Sequence, residues 1–519
     1  MPAHSVVAAS RVAGEPLWPH FARRLAEWLA AGAAAVSLAC GVSVAPWVTL
    51  GGACALLCGF AAVSGRAAAA ALWILGALLA GYAAMGRGFA YLGLPPFYVG
   101  EIALAGCALI LAMAMVMGYL SAPRLPIALL LFLGWCAVRT AADVPQYGVF
   151  ALRDAAIWGY GAFAVIVATV VRRAPYRAAI LTWYRRLSVL LLGWYSWLAL
   201  AKLISAEPIF PNSPSGVPVV VVKPGDIAVH LAGIGSFLAL GFHAGSGTHR
   251  VGRSGLRAGI LWILWAFCFL YYGSHNRGGL VALLVAMAAL GALAFRRSVV
   301  PAAAIGLALI LVAAVRPWER DWISGRQASP RQILQNLKSL TGSEDAFLEG
   351  TRQWRLRWWR TVIDYTFYGP YRWTGKGFGP NLANEDGFQV RPDGALRSPH
   401  NGHITILART GVPGLALWLG LNAWFALRVL RRLRSWKRAG RPQWAQLAWV
   451  FCYWAAAFVN ATFDVYLESP QGGIWFWSLL GLGIALAYDS AGDRSTDPSD
   501  GKPRFRAVAG RGSWSVQTP

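Results

Sequence analysis

Long apolar segments recur along almost the whole of this chain of 519 residues, and short basic or Pro/Gly-rich stretches separate them. A helix that crosses a bilayer needs about 20 consecutive apolar residues, and about fourteen segments meet this requirement. They lie near 26–45, 46–64, 67–86, 99–120, 125–141, 155–171, 187–204, 227–243, 257–273, 278–295, 298–315, 412–430, 444–463 and 472–488. The pattern predicts an all-α fold: a polytopic transmembrane helical bundle of about 12–14 spans.

The composition and the start of the chain both agree with the prediction of a membrane protein. Hydrophobic residues make up 57% of the chain and charged residues 13%, as expected for a membrane protein. Arg23 and Arg24 precede an Ala-rich span that has no convincing cleavage site, so no cleavable signal peptide is expected. The first two spans share so few residues that they could instead be one span and a re-entrant piece.

The basic residues between the spans indicate the orientation. The net charge is +25, and Arg and Lys cluster in the loops at 172–186, 250–257, 296–297 and 431–441. If both termini are cytoplasmic, nearly all of the positive charge falls on the cytoplasmic side, as the positive-inside rule requires. The basicity is therefore a topology signal, and the lipid bilayer rather than nucleic acid is the expected partner.

One polar interruption is far longer than the other loops. Residues 316–411 separate the spans of 26–315 from those of 412–488, and they lie on the outer side, which is the periplasm in a host with two membranes. Helical spacing predicts short helices at 329–340 and 352–368 within this loop. Loops of this length in a compact protein commonly carry function.

The two ends of the chain and its cysteines add little chemistry. Residues 1–25 are expected to form a cytoplasmic N-terminal segment, and the polar residues 489–519 a disordered cytoplasmic tail. All seven cysteines lie in predicted spans, so neither disulfides in the outer loop nor a metal site is expected. The acidic residues of the loop are scattered among cations, and no metal or other cofactor is predicted.

The first of three outer motifs is Ser274-His275-Asn276-Arg277-Gly278-Gly279, between two predicted spans. One interpretation is an ordinary tight turn between helices. The other is an anion site, because Arg277 would stand at the head of a helix, where the helix dipole and the guanidinium both favour a negative charge. His275 lies beside it.

The second motif is an Arg- and Trp-rich helix in the outer loop. Arg352, Arg355 and Trp359 share one face, and Arg357 and Arg360 lie on neighbouring faces. A helix at the membrane interface would have the same composition. Several guanidiniums converging on one place would instead suit a diphosphate, because their forked donors match phosphate oxygens. The segment Gly375-Lys-Gly-Phe-Gly379 follows.

The third motif joins the outer loop to the membrane. Ser398-Pro-His400-Asn401 precedes a short predicted helix from Gly402 to Arg409, a Gly/Pro break at Gly411–Gly414, and a span from about Pro413. A lone histidine is more often structural. His400, beside several arginines at a membrane surface, is nevertheless a candidate general base. The other two histidines that are clearly outside are His275 and His403.

Together the motifs resemble the O-antigen ligase-like superfamily of bacterial membrane glycosyltransferases, which includes O-antigen ligases and many repeat-unit polymerases. The resemblance rests on Ser274–Gly279, on Arg355-Leu-Arg-Trp-Trp359 with the later Gly-x-Gly, and above all on His400-Asn401 followed after nine residues by Gly411. It covers roughly residues 225–490.

The resemblance implies metal-independent transfer of a glycan from an undecaprenyl-diphosphate-linked donor to a hydroxyl of a glycolipid or glycan acceptor. The reaction would take place on the outer face of the bacterial inner membrane. Arg277 and Arg355 match the family's diphosphate-binding arginines, and His400 matches its essential histidine. The secondary candidates are Asn401, Arg352, Arg357, Arg360 and His275.

Other functions stay open. Ala416 stands where many ligases have Gly, Thr or Tyr, which weakens assignment to the ligase branch. A ligase and a polymerase differ only in the acceptor, and no residue reports its identity. A transporter for the same lipid-linked glycans would need charged or broken helices near mid-membrane, and the predicted spans carry almost no charge. A purely structural scaffold is the remaining alternative.

Overall fold

The computed structural model describes residues 65–94, 97–204, 209–213, 216–243, 251–314, 330–338 and 346–488, together with residues 59 and 61. The regions outside the described residues include the predicted N-terminal segment, the predicted span 26–45, nearly all of the span 46–64, parts of the long outer loop and the predicted tail. Regular structure in the described part is helical apart from a two-stranded antiparallel ribbon. The two strands of this ribbon are β1 (Gly93–Leu94) and β2 (Phe97–Tyr98).

The first half of the described chain forms nine helices. They are α1 (Ala67–Met85), α2 (Arg87–Ala90), α3 (Val99–Val116), α4 (Ile127–Tyr147), α5 (Val149–Asp154), α6 (Ala156–Gly159), α7 (Gly161–Val170), α8 (Ala174–Ile204) and α9 (Pro224–Ala239). Eight further helices of the described residues follow. They are α10 (Val251–His275), α11 (Arg277–Ala314), α12 (Pro330–Lys338), α13 (Ala346–Ile363), α14 (Leu382–Glu385), α15 (Gly402–Arg438), α16 (Gln443–Asn460) and α17 (Pro470–Ala487).

The prediction of an all-α polytopic protein is confirmed. Within the described residues, seven helical segments are long and apolar enough to cross a membrane. They lie in α1, α3, α4, α8, α10, α11 and α15. The other predicted spans fall on shorter or less apolar helices, such as Ala156–Val170, or outside the described residues. The total of about 12–14 spans therefore stays a prediction.

The long loop contains the short helices that its periodicity indicates. α12 (Pro330–Lys338) covers the first predicted helix. α13 (Ala346–Ile363) and the π-helical turn Asp364–Tyr368 that continues it cover the second. Amphipathic spacing was a reliable guide here because these segments have a clear apolar face.

Two helix interruptions also lie where the sequence places them. α11 is non-helical at Ala294, close to the boundary between two predicted spans. α15 is interrupted at Gly411, whose φ of 69° and ψ of −171° suit glycine and few other residues. At this break, Val412 N–H donates to the carbonyl of Arg372 at 2.8 Å. The break is therefore held against the segment that follows α13.

The centre of the bundle is built around α9, in which nearly every side chain is buried. Its glycines allow close packing, because a Cβ at Gly233 would clash with the ring of Tyr453 and one at Gly235 with Trp265. At its first turn, a Cβ on Gly279 would lie 2.9 Å from Cα of Gly225. The starts of α9 and α11 are thus in contact, which brings Lys223 towards Arg277.

Candidate active site

The centre of the candidate site is Asp464, in the loop between α16 and α17. Both of its oxygens accept hydrogen bonds from Nζ of Lys223, Oδ1 at 3.1 Å and Oδ2 at 3.0 Å. Oδ1 also lies 3.6 Å from Nδ1 of His400. Next to it in the chain, the carbonyl of Phe463 accepts a hydrogen bond from Nη1 of Arg355 at 2.8 Å. Three basic side chains from distant segments therefore meet at one loop.

His400 is held by its neighbours in an unusual backbone conformation. Its φ is +53°, and within the described part of the chain it is the one non-glycine residue with positive φ. Before it, Nε1 of Trp359 donates to the carbonyl of Pro399 at 2.8 Å. After it, Gly402 N–H donates to the carbonyl of Ala461 at 2.7 Å. Strained conformations of this kind persist where the surroundings enforce them, often at functional sites.

Asn401 caps the N-terminus of α15, the helix that begins two residues after His400. Its side-chain oxygen accepts hydrogen bonds from the N–H groups of His403 at 3.0 Å and Ile404 at 3.1 Å. Asparagine is among the preferred N-cap residues because it satisfies N–H groups that have no partner within the helix. The structure thus gives Asn401 a positioning role at the start of α15.

Arg355 reaches the site from α13, which is anchored by aromatic packing. Trp358 is fully buried and stacks on Phe388 with 5.2 Å between ring centroids. Nε1 of Trp358 donates to Asp386 at 2.7 Å. The Nε of Arg355 is buried and has no hydrogen-bond partner among the described residues, so the guanidinium keeps a donor for a ligand. Burial lowers the pKa of Arg355, and the nearby carboxylate of Asp464 partly offsets that effect.

Arg277 begins α11 on the other side of the same loop. The side-chain oxygen of Asn276 accepts a hydrogen bond from Gly279 N–H at 2.7 Å and so caps the helix. A Cβ built at Gly278 would lie 2.5 Å from Cβ of Phe463. The backbone beside Arg277 therefore touches the residue whose carbonyl holds Arg355. The backbone next to Arg277 and the side chain of Arg355 thus meet at Phe463.

Charge determines the protonation of the pair at the centre. Burial alone would raise the pKa of Asp464, but His400 and the Lys223 ammonium outweigh it and lower that pKa below its ordinary value. Burial lowers the pKa of Lys223, but Asp464 and Asp226 outweigh it, and the net shift is upward. Lys223 and Asp464 are therefore a charged pair at neutral pH.

The secondary candidates occupy different surroundings. Arg352 is paired with Glu349, with 2.9 Å between Nη1 and Oε1. Arg357 and Arg360 are exposed on other faces of α13. His275 stacks on Tyr271 with ring centroids 4.4 Å apart, and its Nδ1 lies 2.6 Å from the carbonyl of the same tyrosine. Within the described residues, these contacts of Arg352 and His275 are with residues of their own helices and not with Asp464.

His403 is a half-buried histidine whose contacts are structural. Its Nδ1 accepts a hydrogen bond from Nε1 of Trp418 at 3.0 Å, which leaves Nε2 to donate to the carbonyl of Phe458 at 3.2 Å. Both ring nitrogens are engaged in the neutral tautomer, so the ring has no nitrogen left for a substrate. It is a suitable internal comparison for His400.

The glycine-rich segment after α13 is a packing element. Gly375, Gly377 and Gly379 all have positive φ, at 65°, 80° and 114°. A Cβ at Gly377 would clash with the carboxylate of Asp143, which accepts a hydrogen bond from Phe378 N–H at 2.7 Å. These glycines let the outer loop close onto α4, and they do not face the arginines with which the sequence grouped them.

A second buried ion network fixes the same segment. Asp154 lies at the end of α5, and its Oδ2 is 2.8 Å from Nη2 of Arg397 and 3.0 Å from Nη2 of Arg409. Arg409 is 1% exposed and also donates to the carbonyl of Gly377 at 3.0 Å. Because each charge has partners, the network can be buried without leaving an unpaired ion.

Sequence reasoning did not single out Lys223 and Asp464. The available signal was modest: each is a charged residue in a loop that the positive-inside rule predicts to be outside, directly adjoining an apolar segment. Within the described residues, no group of three or more His, Cys, Asp or Glu side chains is placed to hold a metal ion. The side chains that meet at the candidate site are one imidazole, one carboxylate and the cations of Lys223 and Arg355.

Residues 262–419 match the family model described as O-antigen ligase. This match agrees with the resemblance to the O-antigen ligase-like superfamily that the sequence motifs indicate. The matched region contains Arg277, Arg355 and His400, whereas Lys223 and Asp464 lie outside it. No curated protein matches the chain in a sequence comparison. The match supports, in general terms, a membrane glycosyltransferase of the O-antigen ligase or polymerase type.

Proposed function

We propose that the protein transfers a glycan from an undecaprenyl-diphosphate-linked donor to an acceptor hydroxyl, on the outer face of the bacterial inner membrane. The transfer is of the O-antigen ligase type and uses no metal ion or nucleotide. The observation that carries the proposal is the convergence of Arg355, Lys223 and His400 on the loop at Asp464. Such a group can hold an anionic leaving group beside a base.

The reaction is a substitution at the anomeric carbon of the donor sugar. The acceptor oxygen forms a new bond to this carbon while the bond from the carbon to the diphosphate oxygen breaks, and that electron pair leaves with the diphosphate. The acceptor proton passes to the imidazole of His400. The developing negative charge on the diphosphate is the feature that fixed cations can stabilise most.

Arg355 and Arg277 are proposed to bind the diphosphate. Arg355 already holds the loop through one nitrogen, and its buried Nε is free of partners among the described residues. Arg277 adds a guanidinium at a helix N-terminus, where backbone N–H groups also favour an anion. Guanidinium forks match phosphate oxygens in pairs, and this geometry orients the donor as well as binding it.

His400 is proposed as the base, with Asp464 as its positioning residue. Nδ1 of the imidazole faces the carboxylate, so a proton on Nδ1 leaves the lone pair of Nε2 for the acceptor hydroxyl. A carboxylate in this place also stabilises the imidazolium that forms during transfer. Lys223 holds the carboxylate in position by binding both of its oxygens.

The test is transfer by the purified protein in the presence of a chelator and without ATP. Lipid-linked donor and glycolipid acceptor are supplied, and the expected result is a new glycoside with release of undecaprenyl diphosphate. A transporter would leave the donor intact under these conditions. Absence of product with a validated donor and acceptor would overturn the proposal.

The alternative within the superfamily is a repeat-unit polymerase. It uses the same donor, and the acceptor is then the growing glycan. Supplying the lipid-linked repeat unit alone separates the two activities. Products of two or more units in this reaction would identify a polymerase, whereas a ligase requires the glycolipid acceptor.

A further inference from the structure

A large apolar cavity lies among α1, α8 and α17, away from the candidate active site. Its volume is about 580 Å³, within the range of about 300–1,000 Å³ that is typical of small-molecule sites. Most of the wall is aliphatic or aromatic, and the lining includes Leu72, Leu75, Trp183, Leu479 and Leu482. One full positive charge belongs to the lining, that of Arg186.

The cavity and the active site lie at opposite ends of the same helices. The end of α1 bonds to the segment that leads to Lys223, because Val221 N–H donates to the carbonyl of Met85 at 3.0 Å. The cavity is lined instead by the first half of α1, from Ala69 to Leu79, and by the first half of α8. The cavity therefore lies towards the ends of these helices that are away from the loop containing Asp464.

One side of the cavity is open, and the positively charged side chain of Arg186 lies there. Ala178, Ala179 and Thr182 are exposed members of the lining on α8. Arg186 is exposed and makes no hydrogen bond or ion pair with the residues that the structure describes. Its neighbour Arg185 is already engaged, since its Nε donates to the carbonyl of Phe242 at 3.0 Å. Arg186 is thus the lining cation that remains for a ligand.

We propose that this cavity binds one acyl chain of an anionic phospholipid, with the lipid phosphate held by Arg186. α1 and α8 are both long and apolar enough to cross a membrane, so lipid is the medium at the open side. An apolar cavity with a guanidinium at its mouth complements an apolar chain with a phosphate at its end. Arg172, Arg173 and Arg177 precede or begin α8 and add positive charge to this end of the bundle, which favours anionic headgroups.

The experiment measures lipids retained by the full-length protein. The protein is reconstituted with phosphatidylglycerol and phosphatidylcholine of the same acyl composition, extracted, and analysed by native mass spectrometry. One retained phosphatidylglycerol, with phosphatidylcholine retained at least tenfold less, is the expected result. Equal retention of the two lipids, or retention of neither, would overturn the proposal.

Two variants separate the charge from the cavity. Arg186→Gln should weaken phosphatidylglycerol retention by about tenfold or more, because a charge-assisted contact is lost. Arg434→Gln removes an exposed arginine from α15 and is the matched control. Gly76→Leu points a side chain at the ring of Trp183, which a Cβ would approach to 3.6 Å, and should fill the cavity. If Gly76→Leu does not fold, Ala179→Leu tests the same point from an exposed position.

Competing occupants give different outcomes. If undecaprenyl phosphate displaces phosphatidylglycerol at equal concentration, the cavity holds an isoprenoid chain and the phospholipid assignment is wrong. An equal loss of retention in Arg186→Gln and Arg434→Gln would show unspecific attraction and would also contradict it. None of these measurements uses glycan transfer, so failure here leaves the proposed function untouched.

Discussion

Nδ1 of His400 lies 3.6 Å from Oδ1 of Asp464, and both oxygens of that carboxylate accept hydrogen bonds from Nζ of Lys223. The imidazole is therefore close to the carboxylate but slightly beyond hydrogen-bond distance from it. A small movement of either side chain would complete the bond. This arrangement links the candidate base to two residues that lie outside the region matched by the family model.

His400→Ala is expected to reduce glycan transfer by about 10²- to 10⁴-fold and to leave donor binding intact, because it removes the general base. His403→Ala should lower the thermal stability, since it breaks the half-buried hydrogen bond from Trp418, but the rate should stay much closer to the parent. Turnover and thermal unfolding are measured for both variants. Near-parental transfer by His400→Ala would remove its catalytic role.

His400→Gly separates the side chain from the backbone. Glycine adopts positive φ without the strain that a side chain causes, so the free energy of unfolding should stay within about 1 kcal/mol of the parent. Transfer should nevertheless fall as far as in His400→Ala. A folded but inactive His400→Gly variant would show that the loss comes from the imidazole and not from misfolding.

Arg355→Lys and Arg277→Lys should each slow transfer by roughly 30- to 1000-fold, or about 2–4 kcal/mol in the transition state. Lysine keeps the charge but loses the paired donors that match a phosphate. Arg360→Lys is the matched control, because Arg360 is exposed on the same helix as Arg355. Normal turnover in both active-site variants would contradict the diphosphate assignment.

Asp464→Asn should lower the free energy of unfolding by about 1–3 kcal/mol at neutral pH, because it leaves the half-buried ammonium of Lys223 without its carboxylate partner. The lowered pKa of Asp464 means that its stabilising effect is present above about pH 4 and is lost as the pH falls further. The raised pKa of Lys223 extends the effect upward to about pH 10.

The measurement is the unfolding temperature of the parent and of Asp464→Asn as a function of pH. Their difference should be largest between about pH 5 and pH 10 and should shrink towards acid. Asp464→Asn combined with Lys223→Met should be more stable than Asp464→Asn alone, because no unpaired charge remains. A difference that does not change with pH would argue against the ion pair.

Gly377→Ala should destabilise the outer loop more than Gly387→Ala. Both glycines have similar positive φ, 80° and 77°, so the backbone strain is comparable. A Cβ at Gly377 meets the carboxylate of Asp143, whereas nothing lies within 4 Å of a Cβ at Gly387. The expected difference in unfolding temperature would disappear if the glycine segment were an open ligand loop.

The proposed orientation predicts that Ser343→Cys is labelled by an impermeant thiol reagent in intact spheroplasts and that Ser435→Cys is not. The reason is the excess of Arg and Lys in the loops placed on the cytoplasmic side. Labelling is measured before and after permeabilisation. The reverse pattern would invert the topology and place the candidate site on the cytoplasmic face.

The sequence by itself determined the features that depend on local patterns. Apolar segments of spanning length predicted the all-α bundle, helical spacing predicted α12 and α13, and glycine chemistry predicted the break at Gly411. The position of His400 at a loop–membrane junction, before a capping asparagine, was also readable. Each of these rests on neighbours within a few turns of the same helix.

The tertiary structure decided which charged residues meet. Lys223 and Asp464 are 241 residues apart, and no periodicity links them. Their contact depends on the packing of α9 against the end of α16, where a Cβ at Gly225 would lie 3.3 Å from Oδ1 of Asn460. The orientation of α13 separates Arg355 from the exposed Arg357 and Arg360, although these three arginines look alike in sequence. The sequence shows which charged residues the chain contains. Only the packing of the helices determines which of them come into contact.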